Sequence, residues 1–193
     1  MKFIYNLIAI VVSSSVYADE KLCMYPDNDT RELEQAKNCG SVENGLLTIE
    51  PALMEKMMWS KYGMQCIFMN YPNDKGWFYV NQNGLGRGSP FTHDNDCNWF
   101  QSGLAVGVSN GRVVYFNQLM DIVESTNYTW ASNFYKGYSK VCSGELTKEY
   151  DMSGEHYQLK GGQCGFINHE FKVIVPIQYP FESTPKPTSS GVH

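Results

Sequence analysis

From Cys66 onward, short hydrophobic runs alternate with polar turns, a pattern that predicts β-strands joined by hairpins. The clearest runs lie at residues 66–69, 77–80 and 112–116. Asn-Gly pairs at positions 83–84 and 110–111 are strong signals for tight hairpin turns. We therefore expect residues 63–182 to form a mostly β domain.

The predicted strand over residues 77–80 is hydrophobic on both of its faces. Because side chains alternate along a strand, Trp77 and Tyr79 share one face, and Phe78 and Val80 share the other. A sheet with two apolar faces has to be covered on both sides or closed on itself. We expect most aromatic residues of this region to lie in the core, whereas exposed ones would offer a sugar-stacking or protein-binding surface.

Residues 19–62 carry a different pattern, which predicts a small helical segment. Asp29 suits the N-cap of a first helix, because Glu32 follows three positions later, and Gly40 suits its end. Leu33, Ala36 and Lys37 would give this helix a weak apolar stripe. Cys23 and Cys39 bracket it, which favours a disulfide between them.

A second helix is predicted to begin at Pro51, since proline suits the first helical position. Ile49 and Met54 could form a hydrophobic staple at its start. One face of this helix would carry Leu53, Met54, Met57 and Met58. We expect that face to pack on the β core; the alternative is an adaptable, methionine-lined binding groove.

One pattern occurs three times between Gly76 and Phe181. A glycine leads into an aromatic-rich strand, a polar turn follows, and a second aromatic cluster comes about one hairpin later; the leading glycines are Gly76, Gly111 and Gly165. Gly76 and Gly111 are 35 residues apart, and the pairs Phe100–Phe134 and Gly103–Gly137 are each 34 residues apart. This repetition predicts β units that stack on their neighbours.

These motifs resemble the WG-repeat family of bacterial proteins, in which a Trp-Gly or aromatic-Gly step opens each β unit. The third copy is the most similar, through Gly165-Phe166-Ile167-Asn168 and Val175-Pro176-Ile177-Gln178-Tyr179. Cys164 stands where the family has its namesake tryptophan. The resemblance implies about three hairpin units in a twisted antiparallel sheet or partial barrel. It implies no established reaction and no catalytic residues.

Six cysteines, an even number, predict disulfides in an exported chain. The resemblance implies that Cys142 pairs with Cys164, at the base of an inserted loop, which leaves Cys66 to pair with Cys97. A zinc site is the rival interpretation, but no C-x-x-C pair occurs and the four histidines are scattered. We expect no metal and no cofactor.

Both ends of the chain are predicted to lie outside the domain. Residues 1–18 are typical of an export signal, with Lys2, an apolar run over residues 3–12 and a cleavage site after Ala18. We expect the mature protein to be periplasmic or secreted. Residues 183–193 are rich in proline and serine and are predicted to be a disordered tail.

Charge and hydropathy limit the classes of partner. The formal net charge of −5 argues against nucleic acid, whose phosphates require clustered Lys and Arg. After the signal segment no apolar run approaches ~20 residues, so we expect no stable membrane insertion. Nothing in the sequence indicates an oligomeric state.

Motifs for known chemistries are missing or incomplete. Ser102-Gly103 and Ser153-Gly154 are typical of turns rather than of a serine nucleophile, and paired cysteines leave no free thiol for catalysis. Carboxylates that could serve a glycosidase by residue type alone are Asp94, Asp96, Asp121, Glu124 and Glu155. Asp27-Asn28-Asp29 and Asp94-Asn95-Asp96 begin like calcium loops but do not continue as such. We expect the protein not to be an enzyme.

The residues most suited to bind a ligand are Glu155 and His156 in the predicted inserted loop, together with Trp99 and Trp130. The main hypothesis is an exported, non-enzymatic module that binds a protein partner in the envelope, of inhibitor or immunity type. The alternative is a carbohydrate-binding protein or carbohydrate-acting enzyme that uses Glu155, His156 and exposed aromatic side chains.

Overall fold

The computed structural model describes residues 21–72, 74–89, 97, 100–109 and 111–187. The predicted signal peptide, Trp99, the candidates Asp94 and Asp96, Asn110 and the end of the predicted tail lie outside the described residues.

Within these ranges the chain is mostly β, as predicted. In chain order the strands are β1 (Leu22–Pro26), β2 (Leu33–Lys37), β3 (Gly40–Glu43), β4 (Leu46–Ile49), β5 (Met64–Asn70), β6 (Lys75–Asn81), β7 (Leu85–Ser89), β8 (Leu104–Ser109), β9 (Arg112–Asn117), β10 (Ile122–Ser125), β11 (Trp130–Ala131), β12 (Tyr138–Tyr150), β13 (Tyr157–Asn168) and β14 (Val173–Tyr179). The described helices are α1 (Pro51–Met54) and a 3-10 helix (Phe181–Ser183).

The strands form three antiparallel sheets. Seven strands make the largest, in the order β2-β1-β5-β6-β7-β4-β3, and the other two have the orders β10-β9-β8 and β11-β12-β13-β14. One sheet curls into a half-barrel, in agreement with the predicted twisted sheet or partial barrel.

The first predicted helix is wrong. Leu33–Lys37 is strand β2, which pairs with β1 so that Ala36 lies opposite Cys23. Asp29 caps no helix; its backbone N–H donates instead to Asp27 Oδ1 in a tight turn. A short helix with a weak apolar stripe is marginal in water, whereas β2 gains a full ladder of hydrogen bonds at the sheet edge.

The second predicted helix does begin at Pro51, but it is only one turn long. Leu53 and Met57 are buried in the core beneath the largest sheet, and Met54 packs against the same cluster. These three side chains therefore follow the core-packing interpretation. Met58 does not belong to this buried cluster.

Three consecutive three-stranded meanders build most of the domain. We call β5-β6-β7 the first meander, β8-β9-β10 the second and β12-β13-β14 the third. Tyr79 of the first meander and Phe116 of the second meet in one buried cluster. Tyr115 of the second and Ile167 of the third meet in another. Adjacent residues of β9 thus fill the two interfaces on its opposite faces.

Strand β6 confirms the prediction of two covered faces. Trp77 and Tyr79 pack in the cluster between the first and second meanders. Phe78 and Val80 pack in the cluster on the other side of the sheet.

A buried polar link crosses the interface between the second and third meanders. The hydroxyl oxygens of Tyr115 and Ser139 lie 2.8 Å apart, and Ser139 Oγ donates to the carbonyl oxygen of Ser132. Because the single proton of Ser139 Oγ is donated to Ser132, the hydroxyl of Tyr115 donates to Ser139 Oγ, and burial raises the pKa of Tyr115.

Each meander turns between its last two strands around an asparagine with the same geometry. The side-chain Oδ1 of Asn81, Asn117 and Asn168 accepts from the backbone N–H groups two and four residues later, at 2.9–3.1 Å. The residue three positions later has a positive φ in all three turns, namely Gly84, Met120 and Phe171. The asparagine side chain thus takes up amide groups that the turn leaves without backbone partners.

We expect Asn168→Ala and Asn117→Ala each to lower the free energy of unfolding by about 1–2 kcal/mol, because two backbone N–H groups lose their acceptor. Urea denaturation under non-reducing conditions measures this loss. Asn127→Ala is the matched control, since Asn127 is exposed and only its backbone oxygen accepts a hydrogen bond. Equal losses for Asn127→Ala and Asn168→Ala would contradict a specific role for the turn asparagines.

Candidate functional site

All six cysteines form disulfides, and the pairs are those predicted. Cys23 bonds to Cys39, Cys66 to Cys97 and Cys142 to Cys164. Three disulfides indicate an oxidising, extracellular environment.

A long hairpin projects beyond the third of these disulfides. Cys142 and Cys164 face each other across β12 and β13, with Cα atoms 4.1 Å apart. We call residues 143–163 the arm. Its strands pair from Leu146 opposite Gly161 to Tyr150 opposite Tyr157, and residues 147–158 are all exposed. The predicted inserted loop is therefore an ordered β-hairpin that is clamped at its base.

The sequence at the end of the arm explains its turn. Asp151 Oδ1 accepts from the hydroxyl of Ser153 at 2.7 Å and from the backbone N–H groups of Ser153 and Gly154. These hydrogen bonds, led by that from the Ser153 hydroxyl, lower the pKa of Asp151. Gly154 has a φ of +73 degrees, which its lack of a side chain permits.

The end of the arm exposes a hydrophobic surface. Tyr150 and Tyr157 are 56% and 47% exposed, their rings lie 5.7 Å apart, and Met152 is fully exposed. We call Tyr150, Met152 and Tyr157 the tip patch. Lys148 Nζ lies 4.2 Å from the Tyr157 ring centroid, which holds that ring on the arm surface. Hydrophobic side chains clustered at a projecting point are typical of a contact surface.

Polar and charged residues lie beside the tip patch. Glu155 and His156 lie in the turn itself and are exposed, next to Tyr157. Lys160 and Glu149 form an ion pair across the two strands of the arm. The two sequence-predicted binding residues of this loop therefore sit on a projecting end rather than in a cleft.

Trp130 lies at the base of the arm. It belongs to β11, opposite Cys142, and its ring packs edge-on against Phe181 at 5.0 Å between centroids. Lys140 Nζ donates to the carbonyl oxygen of Phe181 and lies 3.7 Å from its ring centroid. Burial lowers the pKa of Lys140. The 3-10 helix ends at Ser183, which is the first residue of the predicted tail.

The other described carboxylates considered from the sequence lie in turns or, for Glu124, in a strand. Asp121 Oδ2 accepts from the side chain of Asn117 in the β9–β10 turn, and Glu124 lies in β10. Asp27 Oδ1 accepts from two backbone N–H groups of its own turn. Among the described residues, no three His, Cys, Asp or Glu side chains are grouped to hold a metal ion.

No helix in the described ranges has the length and apolar character needed to cross a bilayer.

No protein-family model, curated protein or solved structure matches this chain. The resemblance to WG-repeat proteins stays a prediction from the sequence motifs.

Sequence reasoning found the loop but missed the tip patch. The available signal was the symmetry of the segment from Tyr150 to Tyr157, in which two tyrosines flank an Asp-Met-Ser-Gly turn. Hairpin partners at such a turn face the same side of the ladder, so two flanking aromatic residues predict a ring pair at its end.

Proposed function

We propose that this protein is an exported, non-enzymatic binding module that docks on a protein partner through the tip of its arm. The observation that carries the proposal is the tip patch, held in water at the end of an ordered hairpin. Tyrosine is enriched among the residues that dominate protein interfaces, and methionine adapts to irregular partner surfaces.

The construction of the arm supports high affinity. The Cys142–Cys164 disulfide fixes its base, and the Asp151 hydrogen bonds fix its turn. A segment that is ordered before binding loses little conformational entropy when the complex forms. Docking through such a hairpin therefore keeps most of the free energy gained from burying the tip patch.

The narrow shape of the arm favours a partner with a concave surface. Glu155 and His156 flank the tip patch and would contact the rim of that concavity, where polar residues set specificity and association rate. Filling a partner's cleft with a projecting hairpin is the geometry of an inhibitor, which supports the inhibitor or immunity type of module.

The carbohydrate alternative finds less support. A glycosidase needs two carboxylates that flank a cleft, whereas Glu155 lies on the projecting end of the arm. Trp130, the described tryptophan proposed for sugar stacking, packs against Phe181.

An affinity-capture experiment tests the proposal. The tagged mature protein, either wild type or with the tip patch replaced, is fixed to beads, and the envelope proteins that each form captures are compared. We expect a stoichiometric partner on the wild-type protein, and its loss with Tyr150→Ala/Met152→Asp/Tyr157→Ala. With the purified partner, this variant should weaken binding by about 2 kcal/mol or more, because contact residues of the hot-spot type are removed.

The matched control is Leu119→Ala/Tyr135→Ala. Both residues are exposed to a similar degree, at 61% and 62%, but lie in other turns of the domain. The control should bind the partner as the wild-type protein does. Retention of the partner by the tip variant, or equal loss by both variants, would refute docking through the arm.

A further inference from the structure

We propose that a cavity where the first and second meanders meet binds a small amphipathic anion, with its apolar body inside and its acidic group at Arg31. The cavity measures about 500 Å³ and lies at the ends of β5 and β6, away from the disulfide-clamped arm. Its volume falls within the range of ~300–1,000 Å³ that small-molecule sites have. The inference does not depend on the proposed function.

The inner wall of the cavity is apolar. Met64 of β5, Tyr79 of β6 and Phe100 line it, together with the disulfide between Cys66 and Cys97. Tyr79 and Phe100 also pack edge to face at 5.1 Å. A cross-linked wall of aromatic and sulfur-containing side chains suits an aromatic or aliphatic ligand.

The outer wall comes from the segment after α1. Met58 and Trp59 line the cavity, although Met57 beside them is buried in the core. Trp59 Nε1 donates to the carbonyl oxygen of Met54 at 3.4 Å, which orients the indole. Met58 thus follows the groove interpretation of the methionine stripe, because it offers a flexible, polarizable surface to the cavity.

Arg31 alone is charged among the described residues that line the cavity. Its Nη1 contacts Met58 Sδ at 3.4 Å, and no carboxylate of the described residues forms an ion pair with it. Gln65 also lines the cavity, but it carries no charge, and one N–H of its side-chain amide donates to the carbonyl oxygen of Met58 at 2.6 Å. A guanidinium at an apolar opening is suited to pair with a carboxylate or sulfonate.

Arg31 lies in a turn and has a φ of +63 degrees, in the left-handed region where glycine or asparagine is favoured. Its side chain lies at the mouth of the cavity.

Two fluorescent probes with the same apolar body test the site on the whole mature protein. 1-Anilinonaphthalene-8-sulfonate carries an anionic group, whereas N-phenyl-1-naphthylamine does not. We expect the wild-type protein to bind both probes with enhanced, blue-shifted fluorescence. Arg31→Asn should weaken binding of the sulfonate probe about tenfold and leave the neutral probe within about twofold, since one charge-assisted contact is lost. Arg31→Lys should restore most of the sulfonate affinity.

Three controls separate this site from other causes. Lys75→Gln removes one positive charge at the opposite end of the β5–β6 hairpin from Met64, and should leave both affinities unchanged. The variant Tyr150→Ala/Met152→Asp/Tyr157→Ala should also bind both probes normally. Gln118→Trp, at a lining position, should weaken both probes by narrowing the cavity. The melting temperature of Arg31→Asn should be equal to or above that of wild type, because asparagine tolerates the left-handed region.

Several results would overturn the proposal. They are no binding of either probe by the wild-type protein, equal loss of both probes in Arg31→Asn, or a loss in Lys75→Gln as large as that in Arg31→Asn. Loss of sulfonate binding in the arm variant would likewise place the probe elsewhere.

Discussion

Replacing Phe116 with alanine is expected to lower the free energy of unfolding by about 4 kcal/mol. Phe116 is completely buried between the first and second meanders. Its ring packs edge to face against Tyr79 at 5.7 Å and against Phe100 at 5.6 Å. Alanine at this position would leave a cavity that the disulfide between Cys66 and Cys97 prevents from collapsing freely.

Guanidinium chloride denaturation under non-reducing conditions measures this loss. Phe116→Leu retains most of the volume and should cost about 1.5 kcal/mol or less. Tyr135→Ala removes an aromatic ring that is 62% exposed and should change stability by no more than about 0.5 kcal/mol. A loss below about 1 kcal/mol for Phe116→Ala would show that the interface between the two meanders contributes little to stability.

The second large effect is expected at Gly165, where Gly165→Ala should cost about 3 kcal/mol or more. A Cβ atom at this position would lie 2.3 Å from the carbonyl oxygen of Val175 and 2.7 Å from that of Pro176. These atoms are backbone, and β14 comes this close because its register against β13 shifts beside Gly165. Alanine would therefore force the two strands apart.

The matched substitution is Gly88→Ala in β7. A Cβ atom there would meet only ring carbons of Phe78 at 3.8 Å, which is ordinary contact. We expect Gly88→Ala to change the free energy of unfolding by less than about 1 kcal/mol, in either direction. Urea denaturation of both variants gives the comparison. Similar stability of the two variants would mean that β14 yields to the added methyl group at little cost.

The three glycines that mark the sequence pattern therefore have different structural roles. Gly76 lies in β6 near its start, Gly111 has a φ of +72 degrees in the turn before β9, and Gly165 lies inside β13. The shared geometry belongs instead to the asparagine turns that end β6, β9 and β13. The leading glycines are therefore not equivalent, and the repeat inferred from their spacing stays a prediction.

Local signals in the sequence were sufficient for much of the fold. Asn83-Gly84 predicted the turn between β6 and β7, and Pro51 predicted the start of α1. Both act through the conformation of a few neighbouring residues, so they can be recognised without knowing the rest of the structure.

The features that the sequence did not predict depend on distant partners. Leu33–Lys37 becomes a strand because β1 pairs with it, and β1 in turn pairs with β5. The cavity at Arg31 is lined by residues from five separate parts of the described chain. The hydrophobic pattern within one segment cannot predict such a cavity, because the cavity depends on how several segments pack together.

The six cysteines are joined strictly in the order in which they occur, first to second, third to fourth and fifth to sixth. No covalent loop encloses another, and the widest separation between bonded cysteines is 31 residues. A chain that enters an oxidising compartment with its N-terminus first can therefore close every bond before the next pair has arrived. The native disulfides then form without any later exchange between cysteines, and each disulfide-bonded part of the chain can be cross-linked as soon as it enters the compartment.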